Sequence, residues 1–234
     1  MQLSIRDTSR QLGVDEATVR RWIAQRNLPV HYAHEQLYVN AVELWEWAIE
    51  NGVSVSRRLL DQARGSPESV PALHEILRAG GIFHDVPGST KSAVLHELVQ
   101  RLPLPADVDR GFLLSVLEAR EAMGSTAIGD GIAIPHVRNP IVLRVEQPFV
   151  TLGLLRDALD FGAIDGQPVH AVFVVVSPTV PTHLAILARL AFALRDEPLR
   201  ALLRERAPAR DILDRIVLIE RTQTTGPHAT MPRP

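Results

Sequence analysis

The sequence predicts an α/β fold, with helices packed around a mixed sheet, placed behind a small N-terminal domain of short helices and a hairpin. Three observations predict it. The chain has 234 residues, 46% hydrophobic and 22% charged, the balance of a globular protein with room for two modest domains. From about residue 70 onward, helical periodicities alternate with short β-rich runs, Phe149–Leu155 and Val169–Val176. All three tryptophans (Trp22, Trp45, Trp47) and both tyrosines (Tyr32, Tyr38) lie before residue 53, whereas the later region is rich in Leu, Val and Ala.

Asp7–Leu12 reads as a short helix that Gly13 breaks. Asp15 is a good N-cap for a second helix running to about Arg26, with Val19 and Ile23 four apart on its inward face. Asn27-Leu28-Pro29 ends it, Val30–Val39 forms a hairpin, and Ala41–Asn51 a closing helix stopped by Gly52. Residues 1–56 make the first domain. Residues 57–71, containing Gly65-Ser66-Pro67-Glu68-Ser69, read as a linker. In the second domain, 72–222, Ser89 or Thr90 caps a helix through Arg101 and Val108–Met123 forms another. His183–Leu194, Leu199–Glu205 and Asp211–Ile219 are helical. The tail, 223–234, lacks apolar periodicity and reads as disordered.

Bulk properties exclude several classes. The net charge is −2, so any nucleic-acid binding must come from a local patch. Cysteine is absent, which removes disulfides, thiolate zinc sites and a cysteine nucleophile and fits the expected cytoplasmic location. No signal-like run opens the chain, and Val169–Val176 is too short to cross a bilayer. Gly88-Ser89-Thr90-Lys91-Ser92 lacks the ending of a phosphate-binding loop, and His31 and His34 have no further ligand cluster nearby. Neither a serine-hydrolase elbow nor a dinucleotide fingerprint is present. The expectation is a protein without metal or cofactor.

The most informative segment runs from Gly124 through Ser125, Thr126, Gly129 and Gly131 to Ile132-Ala133-Ile134-Pro135-His136. Its glycines and small hydroxyl residues make a loop able to approach a ligand closely, followed by a short apolar strand that Pro135 ends just before His136. This arrangement, with Glu118-Ala119-Arg120-Glu121 upstream, resembles the active-site signature of the mannitol and fructose enzyme IIA (type-2) family of the phosphotransferase system, which includes the nitrogen-regulatory members. The resemblance spans roughly 70–222. It implies that His136 is the phosphorylated histidine, that Arg120 stands near the phosphoryl group, and that His183 is the second active-site histidine. A neutral imidazole is a nucleophile near pH 7, an arginine offers a bidentate cation, and a second histidine can donate to a phosphoryl oxygen. Ser125, Thr126, Gly129 and Gly131 would complete the phosphoryl cradle. The implied donor is a phosphohistidine carrier protein (HPr-like), and the implied acceptor an enzyme IIB or a regulatory protein. Val137 stands where many members carry a small residue, so Val137–Pro140 is expected to alter donor docking.

Residues 12–23, with Leu28-Pro29 and the later Val42–Trp47, resemble the helix-turn-helix of the excisionase and MerR-like families. The resemblance implies a winged-helix-like domain whose second helix enters the major groove, with Glu16, Thr18, Arg20 and Arg21 as contacts. The wing region, residues 30–36, has no Arg or Lys, and Glu43, Glu46 and Glu50 follow, so DNA affinity as a monomer would be weak. The reading is a phosphocarrier that couples phosphorylation to transcription or partner regulation, with oligomerisation possible. Two alternatives stay open. One is a transcription factor whose IIA-like domain senses a ligand or partner without phosphorylation. The other is a phosphocarrier whose first domain no longer binds DNA.

Overall fold

A computed structural model of the chain describes residues 2–33, 36–51, 53, 70–137 and 145–224. The N-terminal unit contains β1 (Gln2–Ser4), α1 (Ile5–Leu12), α2 (Glu16–Gln25), β2 (His31–Ala33), β3 (Gln36–Asn40) and α3 (Ala41–Glu50). Its antiparallel sheet has the order β1-β3-β2. Helix α1 begins earlier than the sequence suggests, because the Ser4 hydroxyl accepts the Asp7 N–H at 3.0 Å and caps it. Gly13 ends it at φ +65°, a left-handed conformation that favours glycine. Asp15 caps α2 by accepting from the Thr18 N–H at 2.6 Å. Val19, Leu28, Val39, Leu44 and Trp47 form the buried centre of this unit.

The C-terminal unit contains α4 (Leu73–Gly80), β4 (Ile82–Val86), α5 (Lys91–Arg101), α6 (Arg110–Ala122), β5 (Ala127–Gly129) and β6 (Ile132–Ala133). It continues with β7 (Phe149–Leu159), β8 (Val169–Val176), α7 (Val180–Ala193), α8 (Glu197–Arg204) and α9 (Ala209–Thr224). The mixed sheet has the order β4-β7-β8-β6-β5, with β4/β7 and β8/β6 parallel and the other pairs antiparallel. Strand β8 is apolar nearly throughout because it is covered on both faces. Ala171, Phe173 and Val175 join the core that includes residues of α4, α7, α8 and α9, while Val172, Val174 and Val176 join the core with α5 and α6.

One domain boundary differs from the sequence reading. Helix α9 runs on to Thr224, so the first residues of the expected tail are helical; residues 225–234 lie outside the described residues. Residues 57–69 of the expected linker, 57–71, also lie outside them. Its end is fastened, since the Arg189 guanidinium donates to the carbonyls of Val70 and Pro71.

Candidate active site

The site is built at the C-terminal ends of β6 and β8, which run parallel as neighbours inside the sheet. Ile132 pairs with Ala171 and Ala133 with Val172, and the pairing continues to a bridge between His136 and Val175. The Pro135 carbonyl accepts the Val175 N–H at 3.2 Å, so the nucleophile candidate sits at the C-terminal end of β8. Three residues beyond β8, Thr179 caps α7 by accepting the Thr182 N–H at 3.3 Å, and Pro181 lies in the first turn. That short connection brings His183 beside His136, with ring centroids 5.2 Å apart and planes inclined at 44°. Both are buried.

The His136 Nδ1 lies 2.7 Å from the Ile134 carbonyl oxygen. A carbonyl only accepts, so Nδ1 carries the proton and the Nε2 lone pair is the nucleophilic one in the neutral ring. His183 Nδ1 lies 3.1 Å from the buried Ser177 hydroxyl. A hydroxyl proton donated to Nδ1 leaves the ring proton on Nε2, where it can be offered to an anionic oxygen.

Arg120 is buried near the end of α6 and donates to the Gly124 carbonyl at 2.9 Å. The next residues, Ser125 and Thr126, run alongside the strand that leads to His136, because the Thr126 carbonyl accepts the Ile134 N–H at 3.0 Å. Their hydroxyls are already committed. Ser125 Oγ donates to the Phe161 carbonyl at 2.5 Å, and Thr126 Oγ1 donates to Glu121 at 2.7 Å. With both hydroxyl protons given to protein acceptors, these two side chains build the loop.

Gly129 and Gly131 are not brought to His136. Asp130 (φ +53°) and Gly131 (φ +71°) form the two-residue turn of the β5–β6 hairpin, and Gly129 pairs with Ile132 beside it. That turn lies at the opposite end of β6, five residues and about 16 Å of extended chain from His136. A Cβ at Gly131 would stand 2.2 Å from His170 Nδ1, so this glycine is required by close approach as well as by its φ. His170 belongs to that same remote end, and burial, then Arg204 and Arg206, depress its pKa below the ordinary 6.5. Val137 is buried in the core with α5 and α6, so its side chain is not a docking surface; residues 138–140 lie outside the described residues.

On α2, Glu16, Arg20 and Arg21 are exposed, whereas Thr18 serves the Asp15 cap, and its hydrogen bonds hold the Asp15 carboxyl below the usual range. Among the described residues, no group of three or more His, Cys, Asp or Glu could hold a metal ion, and no helix is long and apolar enough to cross a membrane.

Residues 75–218 match the sequence profile of the family described as "Phosphoenolpyruvate-dependent sugar phosphotransferase system, EIIA 2". The chain belongs to the EIIA 2 family. It is 36% identical over 150 residues to a nitrogen regulatory protein of Pseudomonas aeruginosa, covering 62% of this chain and 94% of that one. It is 33% identical over 143 residues to a fructose-specific EIIABC component of Bacillus subtilis, covering 60% of this chain but 22% of that one. The crystal structure of the nitrogen regulatory protein IIA-Ntr of Neisseria meningitidis superposes with a TM-score of 0.54 at 28% identity, covering 61% of this chain and 97% of that one. As an EIIA 2 member, the chain is a phosphocarrier or regulator of the phosphotransferase type.

Two features of this EIIA 2 unit escape sequence reasoning. Ser177 is one; nothing local marks a serine six residues before a histidine, and only the strand-to-helix geometry joins them. The other is the role of Glu121, which the sequence places only as a member of the upstream motif. Its carboxylate accepts from the Thr126 N–H at 3.0 Å and the Thr126 hydroxyl, and pairs with Lys91 at 3.2 Å. Lys91 is the only lysine of the chain. Glu121 thus anchors Thr126, Thr126 holds Ile134, and Ile134 holds the His136 ring.

Proposed function

We propose that His136 is the phosphorylated residue and that the chain works as a regulatory phosphocarrier. The observation that carries this reading is the His136 ring, held through Nδ1 by a carbonyl and facing His183. The His136 Nε2 lone pair attacks the phosphorus of an N-phosphorylated imidazole on an HPr-like carrier protein. The donor's N–P bond breaks, and its electron pair returns to the donor ring. Arg120 and His183 Nε2–H offset the charge spread over the phosphoryl oxygens. The reverse step passes the group to an enzyme IIB or to a regulatory acceptor. No cofactor takes part.

The fused N-terminal unit favours a regulatory output. Two helices joined by a tight turn, followed by a hairpin, support a helix-turn-helix reading, with α2 presenting Glu16, Arg20 and Arg21 to DNA. Adding about −1.5 to −2 charge at His136 would then change transcription or partner choice.

Incubation with phosphoenolpyruvate, enzyme I and the HPr-like carrier, followed by intact-mass measurement, tests the central claim. The expected result is an acid-labile gain of a single phosphoryl group that His136→Ala abolishes. No gain with several competent donors, or a gain that persists in His136→Ala, overturns it. Gel shifts over a salt series test the DNA reading, which fails if no shift is seen even at low salt.

A further inference from the structure

We infer that the N-terminal unit clamps α7, positions His183 through it, and thereby reads the state of His136. The inference rests on the proposed phosphorylation of His136. Helix α7 carries two apolar stripes. Ile186, Leu187, Leu190 and Ala193 face the core of the sheet. Val180, Leu184, Ala188 and Ala191, spaced i, i+4, i+8 and i+11, join the core of the N-terminal unit instead. Leu184 is 1% exposed and belongs wholly to that second cluster, with Leu44, Trp45 and Trp47. Helix α3 packs on α7. The residue before Leu184 is His183, so the helical turn that presents the second imidazole to His136 is the turn the N-terminal unit holds.

A helix packed in two cores cannot move without disturbing both, because interiors are close-packed and switch between discrete arrangements. A phosphoryl group on His136 lies within reach of a ring 5.2 Å away and changes the force on His183. That force is delivered to α7 and from it to α3. By reciprocity, whatever the N-terminal unit binds shifts the phosphorylation equilibrium by the same factor that phosphorylation shifts its binding. The output face stays open, since Val19 is the only fully buried residue of α2 while Arg20 and Arg21 remain exposed.

The chain supplies its own probe. Every tryptophan lies in the N-terminal unit, so tryptophan emission reports on that unit alone. The full chain would be phosphorylated with phosphoramidate, a small donor that needs no protein partner. The His136 Nε2–P bond forms, the donor N–P bond breaks, and ammonia leaves. Intact mass, tryptophan emission and hydrogen exchange would be followed together. The expected result is a mass gain accompanied by an emission shift and altered exchange in 41–50 and 180–193, all absent in His136→Ala. Leu184→Ala should still gain mass, more slowly, with the emission response lost, and Leu184→Met should restore both. If Leu184→Ala does not fold, Ala188→Gln on the partly buried flank serves the same purpose. A mass gain with unchanged emission and exchange overturns the inference while leaving the phosphocarrier reading intact. No mass gain from phosphoramidate or from the protein donors overturns both.

Discussion

Replacing Glu121 with alanine removes one carboxylate and disconnects three groups. The Thr126 N–H (3.0 Å) and hydroxyl (2.7 Å) lose their acceptor, and Lys91 Nζ (3.2 Å) loses its counter-charge. The Glu121 side chain is 6% exposed, so water does not simply take its place. Breaking a buried, hydrogen-bonded ion pair costs about 3–5 kcal/mol, and hydrogen bonds to a charged group are worth about 1.5–3 kcal/mol each without adding linearly. Lys91 is 35% exposed and recovers much of its hydration, which moves the expectation to the low end, about 3 kcal/mol. Glu121→Gln keeps the shape and one acceptor and should cost about 1–2 kcal/mol. Urea unfolding followed by far-ultraviolet circular dichroism is the appropriate assay, because the tryptophans lie in the other unit. Phosphoryl uptake should fall roughly 10- to 100-fold in Glu121→Ala, since the bonds from Thr126 through Ile134 set the His136 ring. A loss below about 1 kcal/mol with unchanged uptake would refute the claim that this carboxylate anchors the site. A cycle with Lys91→Met separates the ion pair from the Thr126 bonds.

Ser177→Ala should leave the fold intact and slow phosphoryl uptake by roughly 5- to 150-fold, the worth of one buried hydrogen bond that sets the His183 tautomer; an unchanged rate would mean that Ser177 does not control that proton. Gly131→Ala should destabilise the protein by about 1–3 kcal/mol, from the left-handed strain and the contact with His170, as measured by thermal unfolding. Because Gly131 is remote from His136, the folded fraction should keep its phosphorylation rate. Asp196 caps α8, and its carboxyl is held below the usual range chiefly by the side-chain hydrogen bonds from Arg215. Its folded pKa lies below the unfolded one, so this contribution is present above about pH 4 and is lost as pH falls through the lowered value. Asp196→Asn keeps the cap, should cost about 0.5–1 kcal/mol at neutral pH, and should show a shallower acid-induced loss below pH 4 in a circular dichroism titration; identical acid limbs would rule out the linkage.

The elements legible in the sequence are those with local causes. Gly13, Asp15, Thr90 and the apolar run 169–176 each announce a cap, a stop or a strand buried on both faces. The segment 72–86 was not legible in that way. Helix α4 has Ala72 at its N-cap, whose side chain cannot cap; Glu75 accepts the Ala72 N–H instead, and Glu220 of α9 accepts the Leu73 N–H at 2.6 Å. Without a capping side chain at position 72, and with Glu220 so distant in sequence, the local signs of this start are weak. The site divides in the same way. The motif ending at His136 reads as one continuous loop and strand, yet a type I′ hairpin inside it carries Gly129 and Gly131 away from the imidazole. Spacing along the chain showed where glycine was needed, but only strand register shows that the need is a turn and a close contact with His170.

Helix α7 itself contains a sign of the interface between the two units. From Val180 to Ala193 its one formally charged side chain is Arg189, and the polar residues otherwise are Thr182 and His183. A helix on the surface of an α/β unit needs an apolar stripe on one side and polar residues on the other. This one has no polar side. Arg189 is used inward, on the carbonyls of Val70 and Pro71 at the entry to the C-terminal unit. Apolar residues on nearly every face mean that something covers both sides, and the N-terminal unit supplies the second cover. The same composition that buries α7 twice also makes His183 the one imidazole on a helix shared by both units. An N-terminal unit attached only by a flexible tether would leave Val180, Leu184, Ala188 and Ala191 in water, so the composition of α7 argues for a docked arrangement in which the proposed phosphoryl site and the N-terminal unit share a structural element.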